Sequence, residues 1–246
     1  DILVDKQKEY IAEVTFGAAT DTQDAYGRIV ETDARIISKD ELAAVLPCFI
    51  GQIEQTAPMY SAVSIDGKRL YQLAREGADA VEIKRSATID NIELMAQSGE
   101  NRYLLRIVCS RGTYVRTLCA DIGSYLGCCG CMASLRRVEN SGFSEKDCVT
   151  LTQLESMTEE ERLSLLRPTE SLFADLPALT PNEFYARLLR SGCTVLTKKL
   201  GADRSFSDTV GARLRLCDDR GFFSLGEIVQ TDDGTAVKPI KKFRLD

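Results

Sequence analysis

The chain of 246 residues carries 31 Lys and Arg against 37 Asp and Glu, with 9 Cys and no His. Without imidazole, Ser-His-Asp and Cys-His machinery is excluded within these residues, as are HExxH and Cys/His zinc sites, so acid–base work falls to Asp, Glu, Tyr, Lys or Cys. The net charge of −6 argues against a nucleic-acid partner only as a total, because residues 60–140 hold 11 basic and 9 acidic side chains and the last eleven hold 4 and 1. Positive charge therefore gathers in the middle and at the tail.

Along the chain, residues 10–16 (YIAEVTF) alternate as a strand, the polar stretch Thr20–Gly27 is a loop, and 28–31 resume extended structure. Ser38 with Glu41 three residues on is a capping box that opens a helix through Phe49, with Leu42, Val45, Leu46 and Phe49 on one face. Residues 52–66 are irregular, 67–77 (GKRLYQLAREG) read as a basic amphipathic helix closed by Gly77, and 81–97 and 102–109 as strands. A helix from Thr113 to Leu126 follows, stopped by Gly127; then come strand and turn over 132–150 and a helix over 152–166. Pro168 and Pro177 bracket a linker. Beyond it, a short helix at 182–191 and strands at 193–197, 211–217 and 222–230 make a small, mostly β domain with a basic tail.

The Cys count is odd and the residues are scattered, with Cys109 and Cys119 inside apolar patterns. That usage suits reduced thiols and a cytoplasmic protein. Cys128-Cys129-Gly130-Cys131 contains one CxxC without a second pair, so packing thiols are expected ahead of a metal site. No apolar run approaches the ~18 residues of a membrane span.

Three constellations could carry chemistry. In Cys109-Ser110-Arg111-Gly112-Thr113-Tyr114-Val115-Arg116 a strand passes through a glycine turn into a helix whose first turn holds Arg116. The helix dipole disfavours a cation there, and no residue three or four positions away is acidic, so Arg116 needs a distant carboxylate or an anionic ligand. In residues 52–85, Tyr60, Lys68, Arg69, Tyr71, Arg75, Lys84 and Arg85 interleave cations with aromatic rings, as RNA-binding segments do; a solvated helix is the plainer reading. In the loop Thr20–Gly27, Asp21 and Asp24 form turns by default, with acid–base work or metal ligation as the alternatives. Lys241 and Lys242 of the tail could hold RNA backbone or simply be solvated.

Together, KEYIAEVTFGAATDTQDAYG, FIGQIEQTAPMYSAVSIDGKRLYQLAREG, CSRGTYVRTLCADIGSYLG and MASLRRVENSGF resemble the bacterial tRNA pseudouridine-55 synthases of the TruB type, in the family's order over residues 1–175. The resemblance implies an α+β fold: a mixed, mainly antiparallel catalytic sheet over 1–175 with a thumb insertion at 52–85. A small β-rich, PUA-like RNA-binding domain over 178–246 would follow. It implies isomerisation of a flipped uridine in the tRNA T loop through attack by an Asp, with no cofactor, no metal and no obligatory protein partner. By motif match, Tyr10 packs on the target base, Arg116 pairs with the catalytic Asp, Tyr114 shapes the pocket, and Leu135 walls the base. Asp24 lies near the flipped nucleotide. Tyr60, Lys68, Arg69, Tyr71, Arg75 and Arg111 contact RNA. The family's Gly-Thr-Leu-Asp-Pro type motif, which supplies the nucleophile, does not occur in these residues. The expectation is that it lies upstream of Asp1, that Arg116 lacks its carboxylate partner, and that neither Asp24 nor Asp121 replaces the nucleophile. A catalytically silent tRNA-binding or tRNA-folding protein is the alternative. A synthase working in a guide-RNA complex is a third reading, disfavoured by the self-sufficient thumb.

Overall fold

The computed structural model describes residues 7–78, 81–201 and 206–243. Asp1, the start of the matching family segment and Arg244 of the basic tail lie outside the described residues. The chain divides into two compact units, Asp1–Val149 and Thr150–Asp246.

In the first unit, β1 (Lys8–Phe16) leads through β2 (Ala18–Thr20) and β3 (Ile29–Thr32) to α1 (Lys39–Val45) and β4 (Gly51–Thr56). A small insertion follows, with β5 (Ser64–Ile65), β6 (Lys68–Arg69) and α2 (Leu70–Arg75). The chain returns as β7 (Lys84–Gly99), β8 (Arg102–Cys109), α3 (Val115–Tyr125), β9 (Gly130–Asn140) and β10 (Phe143–Ser144). The main sheet has the order β10-β9-β1-β8-β7-β4 and every neighbouring pair in it is antiparallel.

Alternation explains which face of the sheet is covered. On β1, Ala12, Val14 and Phe16 are buried, together with Tyr103, Leu105 and Ile107 of β8, while Glu9 and Glu13 point the other way. Leu42 of α1 and Val115, Leu118, Cys119 and Ile122 of α3 close over that face. Each fully buried aliphatic side chain contributes about 1.5–3 kcal/mol relative to exposure. Burial also pushes the Cys119 thiol up to about 12, so it packs as a small apolar group. α3 ends where Gly127 takes φ +68°.

The second unit contains α4 (Leu151–Ser156), α5 (Glu159–Ser164), β11 (Ala178–Leu179), α6 (Glu183–Ser191), β12 (Val195–Leu196), β13 (Arg213–Asp218), β14 (Gly221–Thr231) and β15 (Gly234–Lys242). Its sheet has the order β11-β13-β14-β15-β12, parallel only between β11 and β13. Leu189, Leu214, Leu216, Ile228 and Val237 form its core.

Four local expectations need correction. Gly51–Thr56, most of which falls in the stretch expected to be irregular, pair with β7 as strand β4. The helix expected over 67–77 is shorter: Lys68–Arg69 pair with Ser64–Ile65 as a hairpin, and only Leu70–Arg75 are helical. The helix expected over 152–166 is two helices, because Met157 is extended and Thr158 with Glu161 forms a new capping box. The basic tail is largely β15, whose Val237 and Ala236 are buried while Lys241 pairs in register with Leu225 and Lys242 with Ser224.

Candidate functional site

The loop between β2 and β3 is held by its own side chains. Thr20 Oγ1 donates to the Asp24 carbonyl at 2.7 Å, Thr22 Oγ1 to Asp24 Oδ1 at 2.8 Å, and the Tyr26 amide to the same Oδ1 at 3.1 Å. The Arg28 amide donates to Asp21 Oδ1 at 2.9 Å and the Asp21 amide to the Arg28 carbonyl at 3.1 Å. A Cβ at Gly27 would lie 2.3 Å from Thr22 Oγ1 and 2.7 Å from Asp21 Oδ1, so a larger residue would push these two side chains aside. The loop is also stapled to β9: Ala25 N donates to Met132 O at 2.9 Å and Met132 N to Gln23 O at 3.0 Å. Asp24 thus serves both turn formation and the site.

Arg116 meets this loop. Its Nη1 donates to Asp24 Oδ2 at 3.0 Å and to the Thr22 carbonyl at 3.3 Å, and its Nη2 to the Tyr60 carbonyl at 2.8 Å. The distant carboxylate that the helix start requires is therefore Asp24, and the expectation that Arg116 lacks a carboxylate partner within the chain is overturned. The pair is half-buried, at 21% and 17% side-chain exposure, where screening by water is weaker than at an open surface.

The N-terminus of α3 is fixed from outside as well. Tyr114 is the N-cap residue but supplies no side-chain cap. Gln55, at the end of β4 and 1% exposed, instead holds that cap residue by its own peptide groups: its Oε1 accepts from the Tyr114 amide at 2.9 Å and its Nε2 donates to the Tyr114 carbonyl at 3.1 Å. Thr117 Oγ1 adds a bond to Gln23 Oε1 at 2.9 Å. Sequence reasoning missed Gln55 and Thr117. The available signal was Gln55 itself, an amide among the inward positions 53, 55 and 57 of an alternating strand.

Tyr10 and Leu135 share a sheet face. Tyr10 pairs in register with Arg137 and Ala12 with Leu135, which places Leu135 two positions along from Tyr10's partner on the side that carries Ala12. Leu135 stays 43% exposed although it borders the core face. Burial raises the Tyr10 phenol above its usual value, Cys109 adds to that, and a hydrogen bond from Arg137 opposes it.

The insertion over 57–83 has its own small core of Ala57, Val63 and Leu70, against which Met59, Ile65, Leu73 and Tyr114 pack. Tyr114 thus packs with the insertion's core. On its surface, the Arg75 guanidinium lies 5.4 Å from the Tyr71 ring centroid, Lys68 pairs with Glu76 at 3.1 Å, and Arg69 Nη1 donates to the Ala62 carbonyl at 3.1 Å. Arg111 is exposed at the turn before α3, and Lys241 and Lys242 belong to the second unit. Asp121, on α3, is half-buried and its carboxyl is raised by burial. Among the described residues, no group of three or more Cys, Asp or Glu is placed to hold a metal ion, and no helix is long and apolar enough to cross a membrane.

Residues 1–115 match the TruB family pseudouridylate synthase N-terminal domain, and residues 116–174 the tRNA pseudouridylate synthase B C-terminal domain. The tRNA pseudouridine synthase B of Aromatoleum aromaticum is 39% identical over 233 residues, 94% of this chain and 75% of that protein. That of Azoarcus sp. (strain BH72) is 43% identical over 176 residues, 72% and 58% of the two chains. That of Alkaliphilus oremlandii is 33% identical over 243 residues, 99% and 79%. The chain thus spans 58% to 79% of the length of these relatives. Among solved structures, a chain of a Cbf5-Nop10-Gar1 complex aligns with TM-score 0.65 at 21% identity, over 98% of this chain and 68% of that one. One from an H/ACA RNP bound to a substrate RNA containing 2'-deoxyuridine aligns with TM-score 0.66 at 19% identity, over 99% and 68%. At those identities the likeness is one of fold.

Proposed function

The chain belongs to the TruB family of pseudouridylate synthases, and from that premise we propose that it grips the T arm of tRNA and serves the conversion of uridine 55 of the T loop to pseudouridine. The observation that carries this reading is the convergence on Arg116 of the loop carboxylate Asp24 and the root of the insertion at Tyr60. One guanidinium ties the insertion proposed to clamp RNA to the loop proposed to lie beside the flipped nucleotide.

In the proposed step the uridine leaves its stack, since its reacting atoms are otherwise shielded in the folded loop. The Tyr10 ring packs on it and Leu135 walls it. An aspartate attacks C1′ as the N1–C1′ bond breaks, the uracil turns, C5 bonds to C1′ as the aspartate–C1′ bond breaks and frees the carboxylate, and the proton displaced from C5 is lost while N1 gains one. Asp24 is not assigned that attack. Its carboxylate accepts from Thr22, the Tyr26 amide and Arg116, which suits a positioning role. Asp121 is not assigned it either, because no Gly-Thr-Leu-Asp-Pro type motif surrounds it. The absence of that motif from these 246 residues favours a second reading for the chain as it stands, binding and holding tRNA without chemistry.

Release of tritium from a T-arm hairpin labelled at uridine C5 tests the assignment. The 246-residue chain should bind the hairpin and release none. Turnover by this chain would show that one of its own carboxylates attacks, and would overturn the roles given to Asp24 and Asp121. Replacing Arg69 and Arg75 together by Ala should weaken hairpin binding and flatten its salt dependence, measured by anisotropy against ionic strength. Unchanged binding would remove the insertion from the account.

A further inference from the structure

The loop that supplies Asp24 also displays a side chain with no assigned role. Tyr26 is 97% exposed, the most exposed of the large hydrophobic side chains among the described residues. The next two most exposed aromatics have ring neighbours: Tyr125 lies edge-on to Phe49 and Phe184 edge-on to Tyr185. At 97% exposure the Tyr26 ring touches almost nothing.

The backbone beneath it is far from slack. The Tyr26 amide is bonded to Asp24 Oδ1 at 3.1 Å, the preceding Ala25 amide to Met132 O at 2.9 Å, and the following Gly27 amide to Asp24 O at 3.1 Å. Three consecutive amides are committed, and a side chain at the position after Tyr26 would push Thr22 and Asp21 aside. The backbone that carries the ring is fixed, so binding a second flat group on it has only the ring's two side-chain torsions left to order.

Both of the loop's carboxylates are met by partners. Asp24 faces Arg116, and Asp21 is taken up by the Arg28 amide and lies 3.9 Å from the Arg28 guanidinium. Arg28 itself is 83% exposed, two residues beyond Tyr26, and can reach a phosphate.

We propose that Tyr26 is a stacking platform for an unpaired nucleobase of the RNA, with Arg28 beside it for the backbone. The contact is separate from the packing of the target base on Tyr10. It rests on the reading of the chain as a T-arm binder. Any base offers a π-face, so the platform tolerates sequence and adds affinity and register without reading base identity.

The test measures affinity of the 246-residue chain for a T-arm hairpin by fluorescence anisotropy across a salt series, for wild type, Tyr26→Ala and Tyr26→Phe. Tyr26→Ala should bind about tenfold more weakly, equivalent to about 1.4 kcal/mol. It should melt at the wild-type temperature, because the ring contributes no packing, and keep the wild-type salt slope, because no phosphate contact is lost. Tyr26→Phe should stay within about twofold of wild type. Wild-type protein that fails to bind the hairpin would overturn the functional reading and this inference with it. Wild-type binding matched by Tyr26→Ala would overturn the inference alone. A weaker Tyr26→Ala with a flatter salt slope would replace stacking with charge and equally contradict it.

Discussion

Two helix starts in the first unit are built by opposite means. α1 begins on its own residues: the Glu41 amide donates to Ser38 Oγ at 3.2 Å, and Glu41 Oε2 accepts from the Ser38 amide at 2.8 Å. α3 has no such box and no acidic residue in its first turn. Its cap residue is held by Gln55, 59 residues earlier, and the charge of its Arg116 is met by Asp24, 92 residues earlier. A helix that only covers the core can be started locally. Where the helix start carries the site, the same requirements are met by distant elements, so placing the helix also places the loop and the insertion around Arg116.

That contrast can be broken experimentally, and the largest effect should come from the distant hold on the cap residue. Gln55→Leu leaves the part-buried Tyr114 amide without its acceptor, and should destabilise the unit by about 2 kcal/mol in urea unfolding. Gln55→Glu keeps an acceptor for that amide and should recover part of the loss. A Gln55→Leu protein as stable as wild type would mean that α3 starts without help.

The half-buried ion pair comes next. A double-mutant cycle of Asp24→Asn with Arg116→Gln should return a coupling of about 1–2 kcal/mol. A value near zero would uncouple the loop from the helix.

The local start should be the cheaper to remove. Ser38→Ala should cost about 1 kcal/mol in the same urea titration, and a cost above that of Gln55→Leu would invert the comparison. Within the same box, bonds from the Ser38 amide and hydroxyl, with Arg35 beside them, hold the Glu41 carboxyl at about 2, well below its usual value. The stabilisation from a depressed carboxyl is present above its unfolded value and is lost as pH falls through the folded one. The deficit of Glu41→Gln should therefore be full near neutrality and vanish as pH drops from about 5 to about 2. A deficit independent of pH would deny Glu41 that role.

The same contrast explains what the sequence made legible. The Ser38–Glu41 box, the alternation of β1, the Gly112 turn and the buried stripe of α3 are short-range patterns, and each could be read from neighbouring residues. So could the need of Arg116 for a distant carboxylate, which is a statement about α3 alone. Its identity as Asp24 could not, because a contact across 92 residues leaves no periodic mark. Gln55 was hidden for the same reason, with only its inward position in β4 as a trace. Two misreadings were themselves local: Thr158 is a second cap inside what reads as one helix, and the apolar Ala236 and Val237 were overshadowed by the lysines that follow them in β15. The exposed Tyr26 marks the remaining limit, since no pattern in the chain tells an aromatic left in water from one placed in a core.

The proposed function requires that the surface around Arg116, Asp24 and the insertion prefer the T arm of tRNA to other hairpins. The most direct measurement is competition between a T-arm hairpin and an anticodon-arm hairpin of equal length for the 246-residue chain at fixed salt. The T-arm hairpin should displace the other at less than equimolar amount, and Arg116→Ala should narrow the difference. Equal affinity for the two hairpins, unchanged by Arg116→Ala, would contradict it.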